Sequence, residues 1–297
     1  MNSGDCPARE SASRASSWAP SDREVQRAAA RKQQGRRRAT VAAVSSIIVL
    51  GALVAVVVTS PGWKVVKETF FDVEYGREVL PLVARGLITN IKLTLIASAC
   101  ISVIAMALAL ARTSRSAAMT PFRILATIYV DVFRGIPLLL VIFLVGFGVP
   151  ALRLAGVTSN VMVLGTAAVV LTYSAYVAEV LRSGILSVHP SQRAAARSLG
   201  LTHSQAMRFV VLPQAIKRVI PPLLNDLVAL IKDTGLVSIL GVTDAVRAAQ
   251  IEASRTFNYT PYVVAAILFL MITVPLTRYT DRVLQRSIGK QNAQGVA

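Results

Sequence analysis

Between Ala39 and Thr59 the chain runs for 21 residues without a charged side chain. At ~1.5 Å of rise per residue, a helix of that length crosses the ~30 Å apolar core of a bilayer. Five further stretches have similar character, at 87–111, 124–148, 161–180, 219–240 and 261–280. Composition agrees: hydrophobic residues make up 54% of the 297 and charged residues 16%, with a mean hydropathy of +0.58. Soluble domains carry roughly one charged residue in four. A disordered chain, a disulfide scaffold and an ordinary cytosolic enzyme are excluded. The expected fold class is all-α, a polytopic membrane protein with about six transmembrane helices. The first run reads as a retained anchor, because it is longer than a signal-peptide core and no A-x-A site follows it.

The basic residues orient this map. The balance of 32 Lys+Arg against 15 Asp+Glu gives a net charge of +17. Twenty-two of the basic residues fall in four segments that alternate onto one side: the tail to Arg38, the connection around Arg112–Arg123, the connection from Arg182 to Arg218, and the end from Arg278 to Lys290. The opposite side holds seven. Cytoplasmic loops are the ones enriched in Lys and Arg, so both termini are expected in the cytoplasm. The expected organisation is a disordered basic tail (1–38), an extra N-terminal span (39–59), an extracytoplasmic loop (60–86), a transmembrane domain (87–281) and a cytoplasmic tail (282–297). Apart from Trp18 the first tail has no aromatic residue for base stacking. It reads as lipid-facing rather than as a nucleic-acid surface.

Chemistry of a catalytic kind is hard to assemble. Cys6 lies in a polar tail and Cys100 in an apolar run, and the two histidines, His189 and His203, complete no metal-ligand spacing. G-x-x-x-x-G-K-[ST], H-E-x-x-H and G-x-S-x-G are all absent. No catalytic residue, metal or cofactor is expected.

Residues 181–218 are too polar to span a membrane and too well punctuated to be disordered. Pro190 suits a first helical position, where its missing N–H costs nothing. A short helix over 191–199 would end at Gly200, a residue free to adopt the left-handed conformation. Thr202 and Gln205 form a T-x-x-Q capping pattern for a second short helix. That helix is expected to stop near Leu212, ahead of Pro213. Two short helices meeting at a glycine would make a knob, although a plain amphipathic connector has the same spacing.

Ala194, Ala195 and Ala196, followed by Gly200, Val210, Leu212 and Pro213, resemble the E-A-A-x3-G-x9-I-x-L-P signature of bacterial ABC importer permeases. The wider stretch from Tyr176 to Leu240, with its Leu-Pro-Gln-Ala and Lys-Asp-Thr pieces, and Tyr129 to Leu140, are similar to the polar amino acid subfamily. The resemblance covers about 80–285, with the first span outside a usual five-span unit. It implies a permease subunit whose knob docks a separate ATP-binding subunit. A second permease subunit would complete the pathway, and an extracytoplasmic solute-binding protein would deliver the amino acid. Arg193, Arg197 and Arg208 would meet acidic groups of the ATPase. Two residues depart from the pattern: Ala194 replaces the signature Glu, and Ser191 replaces a common Gly. Loss of that carboxylate fits a heteromer whose other permease subunit retains it. The competing class is an ion-gradient-driven carrier or channel, which would have no ATPase to dock.

Ionisable residues inside a membrane are costly and mark function by default. Lys92 is near enough to a surface to snorkel. Glu179 and Arg182, at the end of the fourth run, suit a structural or docking role. Asp131 and Arg134 lie three apart on one helix face and are expected either to pair or to contact the substrate along its path; Gly135 and Pro137 beside them predict a break. Lys232 and Asp233 are the deepest, about 18–20 Å from Ile220 along a helix. They are expected either to meet the ammonium and carboxylate of an amino acid or to pair with other helices.

Overall fold

The computed structural model describes residues 22–114 and 116–294. Cys6, Trp18 and the first part of the expected tail lie outside the described residues. No strand occurs among those described. The chain divides into two units, Met1–Val65 and Val66–Ala297.

In the first unit, α1 runs from Asp22 to Thr59. The tail expected to be disordered is therefore helical from Asp22 onward. Residues 22–38 are rich in Arg, Ala and Gln, strong helix formers, and extending an existing helix avoids the cost of a new nucleus. No residue in the apolar window of Thr40–Thr59 is buried.

The second unit is a helical bundle, entered through α2 (Trp63–Phe70). The long α3 (Val73–Thr113) starts at an Asp72 cap that accepts from the Tyr75 N–H. Next comes α4 (Thr120–Gly135), and the chain turns at Ile136–Pro137 into α5 (Leu138–Phe143). A π-helical turn at Leu144–Gly148 leads to α6 (Val149–Ala151). Taken together, the stretches before and after Pro137 are bent by 105°. Gly135 and Pro137 explain that break, since neither favours an uninterrupted helix. α7 (Val161–Ser187) is capped by Asn160, whose side chain accepts from Met162 and Val163 N–H groups.

α7 is the axis of the unit: 61% of its apolar window is buried, against 22% for the last long helix. Ala97, Ile101, Ala105 and Ala109 recur every four residues on α3 and join the core around Val169, Ala175 and Ala178 of α7. Small side chains at that spacing allow two helices to approach closely without a hydrophobic driving force between them.

Beyond α7 lie α8 (Pro190–Ser198), the single turn α9 (His203–Ala206) and a π-helical turn at Met207–Val211. α10 (Leu212–Asp233) follows, then a 3-10 segment at Thr234–Leu240 that ends at Gly241 with φ 92°. α11 (Ala245–Thr256) and α12 (Thr260–Gln294) complete the bundle.

Among the described residues four helical stretches are long and apolar enough to cross a membrane: Thr40–Thr59, Trp63–Thr113, Val161–Ser187 and Thr260–Gln285. The bent pair makes a fifth if it counts as one crossing. The expected run at 219–240 is not one such helix. It divides at Asp233, and α10 carries Pro221, Pro222, Asp226, Lys232 and Asp233 within it. Charges at that density remove the apolar length, and the glycines at 235 and 241 favour tighter and left-handed backbone over a continued α-helix.

Candidate functional site

The segment between α7 and α10 has the local structure its residues dictate. Pro190 opens α8, and the His189 ring accepts from the Ser191 N–H. At the far end the Gly200 N–H donates to the Arg197 carbonyl and the Leu201 N–H to the Ala196 carbonyl. These are the paired bonds of a Schellman stop, and Gly200 sits at φ 83°. Thr202 and Gln205 complete both halves of a capping box. The second helix does not stop near Leu212, however. It passes through the π-helical turn into α10, with Pro213 in the first turn, where a missing N–H is tolerated.

Of the residues singled out here, Ala196 is buried and Val210 and Leu212 are half-buried, while Ala194, Ala195, Arg197, Gly200 and Pro213 are exposed. A small apolar cluster of Ile185, Val188, Val211 and Ala215 lies beneath, with Leu110, Met207 and Leu212 packed on it. Two large apolar side chains stay in the open, Leu199 at 84% and Phe209 at 62% exposure. The sequence reading passed over both.

Arg193 is not free to meet a partner. Its Nη2 donates to the Ile185 carbonyl at 2.6 Å. Arg197 remains exposed.

Glu179 gathers three arginines from three helices. Arg112 Nη1 of α3 and Arg182 Nη2 of α7 each lie 2.6 Å from its carboxylate, and Arg134 of α4 lies 3.9 Å away. The Arg134 guanidinium also stands 5.9 Å from the Tyr176 ring centroid. The expected Asp131–Arg134 pair is therefore not made. Arg134, in the last turn of α4, is drawn to the carboxylate on α7, and Asp131 is exposed.

Lys232 and Asp233 also part company. Lys232 is exposed and in no ion pair among the described residues. Asp233 accepts a hydrogen bond from the Tyr173 hydroxyl at 2.7 Å. Two helical turns earlier on the same face is Asp226, which the sequence reading did not single out. The i, i+7 spacing to Asp233 was the available signal. Asp226 lines a groove of about 420 Å³ with Ser98, Ser102, Met106, Tyr173 and Leu223. Its walls come from α3, α7 and α10. Within it the Asp226 Oδ2 and Ser98 Oγ are buried without a hydrogen-bond partner. A buried polar atom left unpaired costs about 1–3 kcal/mol.

A second polar cluster holds the bundle together. Asn90 Nδ2 donates to Asp244 Oδ2 at 3.0 Å, its Oδ1 accepts from the Ala245 N–H at 3.1 Å, and Asp244 Oδ1 accepts from the Arg247 N–H at 2.8 Å. Asn90 and Asp244 are fully buried. This cluster pins the start of α11 to α3. Among the described residues no group of His, Cys, Asp and Glu could hold a metal ion.

A multi-helix unit with long apolar helices, a capped helical protrusion and a largely apolar groove holding one carboxylate defines a polytopic membrane protein. Residues 103–289 match the family described as binding-protein-dependent transport system inner membrane component. The chain belongs to this family of ABC importer permeases. It is 40% identical over 173 residues to the probable glutamine ABC transporter permease protein GlnM of Bacillus subtilis (strain 168), covering 56% of this chain and 78% of that one. It is 30% identical over 210 residues to the arginine transport system permease protein ArtQ of the same organism, covering 70% and 93%. The crystal structure of an amino acid ABC transporter with histidines superposes with a TM-score of 0.63 at 35% identity, covering 69% of this chain and 94% of that one. The MetNI methionine ABC transporter, inward facing, shares the fold at a TM-score of 0.57 and 18% identity, covering 69% and 96%.

Proposed function

We propose that this chain is the permease subunit of an ATP-driven importer for polar amino acids. Its 190–212 protrusion docks a separate ATP-binding subunit, and the groove beside Asp226 is part of the substrate path. The observation that carries the reading is the protrusion. The Ala194–Pro213 pattern folds into two capped helices joined at a left-handed glycine, with Leu199 and Phe209 exposed on them. Exposed apolar side chains of that size on a small polar element favour a partner's groove over water. Relatives named for glutamine and arginine transport support the substrate class.

In this reading the protrusion and both termini are cytoplasmic. α10, the 3-10 segment and α11 then make a sixth crossing, with Asp226 and Asp233 turned toward the groove and its Tyr173 wall. A second permease subunit and an extracytoplasmic binding protein complete the machine. Hydrolysis belongs to the ATP-binding subunit, and this chain performs no covalent step. The carboxylate of Asp226 accepts from the substrate ammonium, and the Tyr173–Asp233 pair stands beside it. Arg193 is excluded from direct docking by its bond to Ile185, so Arg197 and Arg208 take the acidic groups of the partner. Lys232 and Asp131, both exposed, face lipid or the second permease subunit.

The test is uptake of labelled glutamine and arginine into proteoliposomes containing the chain, its ATP-binding subunit and binding protein. ATP-dependent accumulation is expected. Asp226→Asn should lower uptake by about tenfold, the effect of losing a charge-assisted contact, while stimulated ATP hydrolysis stays within about twofold. Uptake that follows an ion gradient and ignores ATP contradicts the proposal.

A further inference from the structure

We infer that Arg193 is a positioning residue, the strut through which motion of the protrusion reaches α7, and that Arg218 braces the same joint from α10. This rests on the reading that the protrusion docks an ATPase. The last carbonyls of a helix have no partner within it, and a cation there also complements the helix dipole. α7 ends with two such carbonyls satisfied by arginines from different elements. Arg193 of α8 donates to the Ile185 carbonyl at 2.6 Å. Arg218 of α10 donates through Nη1 to the Ser187 carbonyl and to the Ser187 hydroxyl.

The rest of the joint explains why these bonds matter. Only Val188 and His189 connect α7 to α8, both in extended backbone. The apolar cluster under the protrusion holds it close, but apolar contact is non-directional and does not by itself fix how α8 is aimed. A charge-assisted hydrogen bond does. The Arg193 side chain is half-buried with its Nε enclosed, so the guanidinium is held in place rather than swinging at the surface. At the same end of α7, α10 lies so close that a Cβ on Gly184 would overlap the Val219 side chain. From Ile185, α7 continues unbroken to Tyr173, about 18 Å away at ~1.5 Å per residue. There the Tyr173 hydroxyl meets Asp233, and its side chain lines the groove. Displacement of α8 is thereby carried to the groove wall through a rigid helix.

Arg193→Met in the complete reconstituted complex tests this, with assembly, stimulated ATP hydrolysis and uptake read from the same proteoliposomes. The complex should assemble on its apolar cluster and hydrolyse ATP within about twofold of wild type, while amino acid taken up per ATP falls about tenfold. Arg193→Lys, which keeps one donor for the carbonyl, should recover part of that ratio. A wild-type ratio in Arg193→Met overturns the strut. So does a parallel loss of affinity and hydrolysis at an unchanged ratio, because that marks Arg193 as a contact to the ATPase. If Arg193→Met fails to assemble, Arg193→Lys and Arg193→Gln decide: graded ratios below wild type support the strut, and wild-type ratios in both overturn it. A wild-type complex with no ATP-driven uptake overturns the functional reading itself.

Discussion

Gly200 has open space where a Cβ would stand, yet its φ of 83° is a conformation that L side chains rarely adopt. Gly200→Leu is therefore a conformational change and not a steric one. It should cost about 1–2 kcal/mol locally or re-aim α9. Insertion into the membrane is expected to be normal, with uptake and stimulated hydrolysis both reduced in reconstituted complexes. Wild-type values for both would show that the corner does not set the docking geometry. This residue was legible in sequence because its signal is local: a glycine after a short helical run and a capping pattern after it. Asp226 and Arg134 were not. Their roles depend on which helices lie across from them, and no spacing along one helix reports that α7 supplies Glu179 or that α3 supplies Ser98. Asp131 and Arg134 satisfy the i, i+3 rule, worth only a few tenths of a kcal/mol, and a carboxylate shared with two further arginines competes successfully.

Among the elements, α7 was the easiest to read, being long with only Glu179 and Arg182 charged along it; α3 was legible only from 87 onward, because Glu74, Arg77, Glu78 and Arg85 made its first turns read as part of a 60–86 loop. The 219–240 run was misjudged because mean apolarity conceals a division. Lys232, Asp233, Gly235 and Gly241 split it into α10 and a 3-10 segment, and the Asp244 cap starts α11 immediately afterward. Buried polar groups hold this division. Asn90→Ala should remove the partners of both Asp244 Oδ2 and the Ala245 N–H. Leaving two buried groups unpaired costs about 2–5 kcal/mol, read as a lower midpoint in thermal unfolding in detergent. Asn90→Asp should also be harmful, since it sets a second carboxylate against Asp244. An unchanged midpoint in both variants would mean that water replaces the lost partner. A related close approach is visible at Gly86, where a Cβ would meet the backbone of Asp244 and Ala245.

For the whole molecule, charge asymmetry orients what hydropathy only counts. Twenty-two Lys and Arg on one side against seven on the other predict that reporter fusions after Arg85 and after Asn258 read outside. An inside reading at either position breaks the proposed topology. The central claim is that the protrusion engages a separate ATP-binding subunit, and Leu199 is its most exposed large apolar residue. The most direct measurement places a photo-crosslinking amino acid at position 199 of the full chain and irradiates membranes of the native host. One dominant product is expected, joined to an ATP-binding subunit and depleted when that subunit is deleted. Membranes that still transport while position 199 yields no product with an ATP-binding subunit would contradict it.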